Sequence, residues 1–257
     1  MEQARETTSN LNAQRIVETW KSFERAITVE EDRVIKRELA DDELLRRANG
    51  AVVRPFWGAE RLRNEAATLQ LIAARTTIPV PRCRLYVHNG LVHLETERIR
   101  ETEGVRLIDI EAARRPQAAA AVDAQIRATV LPQLRALRRA SIGSVDPALP
   151  VFPPQRVYDR DRRPWPRITA EPAAGDAFVL CHNDLGPQNI FVHRDTFELV
   201  GIIDWEFSGY FPAYFELPLW TAFAWKDEQA LYEAANRREL AFFGLEAKDL
   251  EDCIPPP

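Results

Sequence analysis

The chain has 257 residues, 46% hydrophobic and 28% charged, which suits one large domain or two small lobes with ample material for a core. Its formal net charge of −5 offers no strongly basic surface for nucleic acid, and Cys83, Cys181 and Cys253, with no CxxC pair among them, form neither a disulfide framework nor a zinc knuckle. No apolar run nears the roughly 18 residues that cross a bilayer, and the polar opening MEQARETTSNLNAQ lacks a signal-peptide core, so a cytoplasmic protein with no membrane or nucleic-acid partner is expected.

In chain order, Leu11, Ile16, Trp20 and Phe23 recur at roughly helical spacing and predict a helix over 11–24. AITVEEDRVIKREL (26–39) mixes β-branched residues with charge and predicts a strand or hairpin. GAVVRPFWG (50–58), bounded by glycines, predicts another short strand. Leu62, Ala66, Leu69 and Ile72 put one apolar stripe on a helix within 60–81, which Pro79 and Pro81 end. RCRLYVHNGLVHLETERI reads as a β-hairpin turning at Asn89-Gly90. Residues 108–139, rich in Ala, Leu and Arg, are predicted helical with a kink or break at Pro132. Residues 146–176 hold seven prolines and five arginines, so they read as a long connecting loop whose arginines form either a solvated face or a patch for an anion. Three β-like runs follow, AFVLC, NIFVH and ELVGIID, and then a helical tail stopped by IPPP.

The chemistry concentrates in CHNDLGPQNIFV (181–192) and IIDWEFSG (202–209). If AFVLC, NIFV and ELVGII are adjacent strands of one small sheet, Asp184, Asn189 and Asp204 converge at its end. Carboxylate and amide oxygens are hard ligands that suit Mg²⁺ together with phosphate oxygens. A further carboxylate beside them can accept a hydroxyl proton, which is the division of labour in kinase-type phosphoryl transfer. An isolated H-x-D is weak. H-x-D-x-x-x-x-N followed, after strand, turn and strand, by apolar-apolar-Asp is specific.

These two segments resemble the signatures of the aminoglycoside phosphotransferase and choline kinase family, usually written H-G-D-x-x-x-x-N and I-D-W-E/D. The resemblance extends less specifically over most of the chain. It implies an α+β, protein-kinase-like two-lobe fold. A small N-terminal sheet lobe with one main helix would occupy residues 1–100, and a larger, mostly helical lobe residues 101–257. It implies ATP and Mg²⁺ as cofactors, Asp184 as the catalytic aspartate, Asn189 and Asp204 as metal ligands, and His182 as a residue shaping the loop. Asn183 departs from the usual Gly. It also stands where protein kinases keep Arg, which argues against control by activation-loop phosphorylation.

The same resemblance implies a phosphate-binding Lys on an N-terminal strand, paired with a Glu on the following helix. Glu65 is the candidate Glu. Lys36, in RVIKRE, is the first choice of cation, and Arg54, in AVVRPF and nearer in sequence, is the rival. LVHLETERI matches the hinge strand where adenine meets backbone groups, with Glu97 and Ile99 flanking that contact. Glu206 reaches a second metal or caps a turn, Glu216 reads as architectural, and Trp220, Phe223 and Trp225 as core rather than an acceptor platform. The implied activity is transfer of the γ-phosphoryl group to a hydroxyl of a small molecule. The alternative is a kinase-like nucleotide-binding or interaction protein with little catalysis, since the stretch after Asp204 is short for a family that builds its acceptor pocket largely from C-terminal helices.

Overall fold

The computed structural model describes residues 15–158, 165–169 and 178–246. The first described segment is rich in β-branched and aromatic residues, and it is a strand: β1, Ile16–Lys21. The expected helix over 11–24 is therefore not formed across 16–21; Leu11 lies outside the described residues. The helical spacing there is coincidental, because pairing with β2 (Ala26–Glu30) satisfies the backbone instead. A tight turn leads to β3 (Arg33–Arg37), so the hairpin expected at 26–39 is present. The strand expected at 50–58 is absent. Val52 forms only an isolated bridge to Arg46 around a turn at Gly50, and Pro55, which has no N–H to give, precedes the next helix.

That helix is α1, Gly58–Arg75, whose stripe Leu62, Ala66, Leu69 and Ile72 is buried. It ends at Thr76, before the extended run to Pro81. Then β4 (Cys83–His88) and β5 (Leu91–Glu97) form a hairpin in which Asn89 and Gly90 both take positive φ, as a primed two-residue turn requires. The sheet is antiparallel throughout in the order β1-β2-β3-β5-β4. Leu62 and Ala66 pack on Val92 and Leu94, closing a small apolar layer between α1 and β5. Each Leu so buried stabilises the fold by about 1.5–3 kcal/mol.

Below this layer lies the main core, built from α2 (Arg115–Gln125), α3 (Leu131–Ala136) and two three-stranded sheets. Between the two helices, residues 126–130 form a wide π-type turn. Pro132, in the first turn of α3, has no N–H for an ordinary helical bond, which accounts for the break expected there. Strand β6 (Val105–Arg106) flanks β9 (Ile190–Val192), which pairs with β10 (Leu199–Ile202). Strand β8 (Phe178–Cys181) lies in the other sheet, between β7 (Arg138–Arg139) and β11 (Gly209–Phe211). The expectation of one small sheet holding all three motif strands is thus corrected: β8 joins a different sheet from β9 and β10. In the proline- and arginine-rich stretch, one turn of helix, α4, spans Gln155–Tyr158. Helix α5 covers only Trp225–Phe242 of the expected helical tail, with single 3₁₀ turns before it.

Candidate active site

Although β8 and β10 belong to different sheets, His182 and Ile203 join them. His182 is fully buried and its ring leans on Trp205, centroids 4.4 Å apart. Its Nε2 lies 3.0 Å from the Ile203 carbonyl, and Nδ1 accepts the Asp184 N–H at 3.2 Å. Those partners fix the neutral Nε2–H tautomer. Burial agrees, pushing the imidazole down to about 4. The Ile203 N–H donates to the Asn189 carbonyl at 3.0 Å. Asn189 Nδ2 in turn donates to the Asp184 carbonyl at 2.8 Å and to its Oδ2 at 3.0 Å, so the amide oxygen is the group left for a metal. Burial, and next the charge of Asp204, raise the Asp184 carboxyl to about 8.

Asp204 sits just past β10 in the left-handed region, φ 64°, where Asp is among the few non-glycine residues at home. Lys36 reaches it from the sheet above. In the β3–β5 register Lys36 faces Leu94, which places both on the side covered by α1. Glu65 lies one helical turn from Leu62 and Leu69 on the same face of α1. Lys36 Nζ therefore meets Glu65 Oε1 at 2.8 Å and Asp204 Oδ1 at 2.6 Å. Burial pushes the Asp204 carboxyl up, but Lys36 and then Arg25 outweigh it and hold it at about 2. Asp204 and then Glu65 keep Lys36 an ammonium against its own desolvation. Burial is the largest influence on Glu65 and pushes its carboxyl upward against the pull of Lys36. Arg54 is exposed and 3.6 Å from Asp41, so Lys36 and not Arg54 is brought to Glu65.

Lys36, Glu65, Asn189 and Asp204 line a cleft of about 660 Å³ under the sheet, with Trp20, Ile27, Val29 and Val34 on its roof and Phe191 and Ile203 opposite. Glu97 and Ile99 line it too. The Glu97 carboxylate is turned to Arg82, with Nε 2.6 Å away, and Ile99 packs where Gly201 leaves room. A larger hollow of about 810 Å³ on the other side of residues 96–99 is lined by paired arginines and acids, and holds none of Lys36, Asp184, Asn189 or Asp204.

A profile described as the phosphotransferase enzyme family matches residues 25–249. The chain belongs to that family. An aminoglycoside phosphotransferase of Streptomyces rimosus, APH(3'')-Id, has the same protein-kinase-like fold, with a TM-score of 0.50 at 19% identity over 92% of this chain and 89% of that one. The same protein solved with ADP and streptomycin gives a TM-score of 0.48 at 19% identity, over 89% of this chain and 87% of that one. An aminoglycoside-3'-phosphotransferase of type VIII gives a TM-score of 0.49 at 20% identity, over 94% and 93%. No curated protein matches the sequence.

In this phosphotransferase-family chain the Asn183 departure has a backbone reason. The position takes φ 70°, which Gly meets without strain and Asn tolerates better than most. Asn183 Nδ2 also donates to the Phe207 carbonyl at 2.8 Å. Glu216 accepts the His182 N–H, the architectural place expected for it. Three features escape sequence reasoning. Arg156, in the loop expected to be solvated or anion-binding, is buried and donates to Glu239 of α5, to the Asn183 carbonyl at 2.8 Å and to the Phe215 carbonyl at 2.6 Å. Arg25 and Arg61 both bind Glu206, an ion pairing that neither sequence reading of that residue included. Arg61 stands four residues before Glu65, a spacing that already put both on one helix face. Finally, Trp225 is 71% exposed rather than core, whereas Trp220 is buried with its Nε1 on Asp123 at 2.8 Å.

Proposed function

We propose that the protein is an ATP- and Mg²⁺-dependent phosphotransferase acting on a hydroxyl of a small molecule. The observation that carries this reading is the bridge from Lys36 to both Glu65 and Asp204, directly beside the Asp184–Asn189 pair. The donor set suits magnesium: one Asp carboxylate and one Asn amide oxygen, both hard, few enough to leave positions for phosphate and water. Bound there through Asp204 and Asn189, Mg²⁺ would offset negative charge on the phosphates.

The protein groups do the positioning. Lys36, held by Glu65, presents a fixed ammonium to the phosphates. The apolar roof of Ile27, Val29 and Val34 shields the base, with Glu97 and Ile99 at the hinge end. Asp184, raised toward neutral pH by its surroundings, is matched to accepting a hydroxyl proton as the acceptor oxygen attacks. Asn189 holds Oδ2, and so the carboxylate is aimed before the acceptor arrives. The acceptor side is bounded by α5, whose Glu228 and Tyr232 are hydrogen-bonded and near enough to act on Asp184 electrostatically.

The test is a screen of small hydroxyl compounds and aminoglycosides for ADP release from Mg-ATP, with Asp184→Ala as the blank. Turnover that depends on both the acceptor and Asp184 is the expected result. Mg-ATP binding with no Asp184-dependent turnover across the screen would instead make it a nucleotide-binding protein.

A further inference from the structure

The peptide that joins Asn183 to Asp184 is held from both sides. Its N–H donates to His182 Nδ1 at 3.2 Å, and its carbonyl accepts Arg156 Nη1 at 2.8 Å. Asn183 takes φ 70°, a region that a non-glycine residue keeps only where its surroundings hold it. Because the peptide is planar, any rotation of it swings Asp184 as well. The His182 tie lies within the loop itself. Arg156 comes from elsewhere, from α4, which Val157 and the preceding Phe152 anchor in the main core.

The same guanidinium grips α5. Its Nε donates to Glu239 Oε2 at 2.9 Å and its Nη2 to Glu239 Oε1 at 2.6 Å, while its Cζ lies 5.9 Å from the centre of the Tyr232 ring. Tyr232 and Glu239 are seven residues apart, which puts them on one face of the helix. Tyr232 donates to Glu228, and the charge of Glu228 acts on Asp184. Arg156 therefore spans the Asp184 peptide and the side of α5 that borders it. Energetics point the same way. A buried ion pair often stabilises a fold no more than apolar residues of similar volume would. The Arg156 and Glu239 side chains are 4% and 1% exposed, so stability alone gives little reason for charge here. What an apolar pair cannot do is donate to the Asn183 carbonyl.

We infer that Arg156 is a positioning residue for phosphoryl transfer: held by Glu239, it fixes the Asn183–Asp184 peptide and so aims the Asp184 carboxylate at an acceptor beside α5. A guanidinium is suited to this, since its planar fork can hold a carboxylate and still donate to a carbonyl. Arg156 does not line the cleft, so its removal slows the chemical step and leaves nucleotide binding alone. The inference rests on reading the site as that of a phosphotransferase.

The experiment measures ADP release from Mg-ATP by the full chain, with water as the only acceptor and with the acceptor that turns over fastest in the screen above. Wild type is compared with Arg156→Met, with Arg156→Met plus Glu239→Leu, and with Glu239→Gln. Each is assayed well below its own melting midpoint, so that rates refer to folded protein. A misplacement of about 1 Å costs up to roughly 100-fold, so kcat of the double variant falls by about 10–100-fold, while KM and calorimetric Kd for Mg-ATP stay within about twofold. Arg156→Met alone is as slow as the double variant, although it melts lower. Glu239→Gln keeps an oxygen for the guanidinium and holds kcat within about threefold of wild type. A double variant with wild-type kcat overturns the inference. So does a kcat that recovers with stability from the single to the double variant, because the arginine would then only hold the fold together. Equal losses of kcat and of Mg-ATP affinity overturn it too. If wild type binds Mg-ATP but releases no Asp184-dependent ADP to water or to any acceptor, the phosphotransferase reading itself falls, and the inference with it.

Discussion

Replacing Arg156 with Met keeps most of the side-chain volume and deletes one guanidinium with four recorded contacts. Two go to the Glu239 carboxylate at 2.6 and 2.9 Å, one to the Phe215 carbonyl at 2.6 Å and one to the Asn183 carbonyl at 2.8 Å. The two charged side chains are 4% and 1% exposed, so solvent does not screen the loss. Removing one member of a buried pair leaves an uncompensated charge and destabilises by about 3–5 kcal/mol. Each orphaned buried carbonyl adds roughly 1 kcal/mol or more. Together these come to about 5–7 kcal/mol, and at about 2–4 °C per kcal/mol for a chain of this size the single variant melts roughly 10–28 °C below wild type. Removing Glu239 as well, as Arg156→Met with Glu239→Leu, takes away the stranded charge and recovers more than half of that deficit, because the pair's own desolvation penalty disappears with it. Circular dichroism melts and urea titrations of the three proteins measure both numbers. A single variant within about 1 kcal/mol of wild type, or a double variant no better than the single, refutes the reasoning.

Asp184→Asn keeps an oxygen for Asn189 to hold but cannot take a proton; acceptor-dependent ADP release falls by about 10²–10⁴-fold while Mg-ATP binding by calorimetry is preserved. Gly209→Ala destabilises by about 1–3 kcal/mol in a urea titration, since its Cβ would lie 2.8 Å from the Gly143 carbonyl oxygen, a backbone atom that cannot simply rotate away. Burial, outweighing the His182 N–H and Arg156, raises Glu216 from 4.5 to about 7. The native state therefore holds this proton more tightly than the unfolded chain, and stability is lost as pH rises through that window, by at most about 3 kcal/mol. Glu216→Gln cannot titrate, so its stability relative to wild type improves on going from the acid to the neutral side. A stability gap that stays constant with pH refutes the shift. The opposite trend from His182 is common to both proteins and cancels.

The motif residues were legible because their spacing is short and their types are restricted. Asp184, Asn189 and Asp204 are within 20 residues of one another, and few sequences place those residue types around β-like runs for another reason. The partner Lys36 was legible only through resemblance, since 29 residues and a layer of packing separate it from Glu65. What failed did so where one-dimensional periodicity is ambiguous. Ile16, Trp20 and Phe23 fit a helix by spacing, yet β-branched Ile16, Val17 and Thr19 and an available partner strand make β1. Strand neighbours were misread for a similar reason. Sequence order put β8 beside β9, whereas β8 takes its partners from β7, which begins 40 residues before it, and β11, which begins 28 residues after it ends. Arg156 was hidden by composition: surrounded by prolines and other arginines it looked solvated, and only its contacts with Glu239 and the Asn183 carbonyl reveal a brace.

Ile203 has both its N–H and its carbonyl committed to the segment that carries Asp184, the N–H to Asn189 and the carbonyl to His182. Asp184, Asn189 and Asp204 are therefore cross-linked by backbone and cannot rearrange separately. The lower half of the cleft behaves as one rigid jaw, assembled before any ligand arrives. Any adjustment to a ligand then falls to the sheet above, which carries Lys36. In hydrogen exchange the Ile203 amide belongs with the slowest of the chain, while the amides of β1, an exposed edge, open far more often.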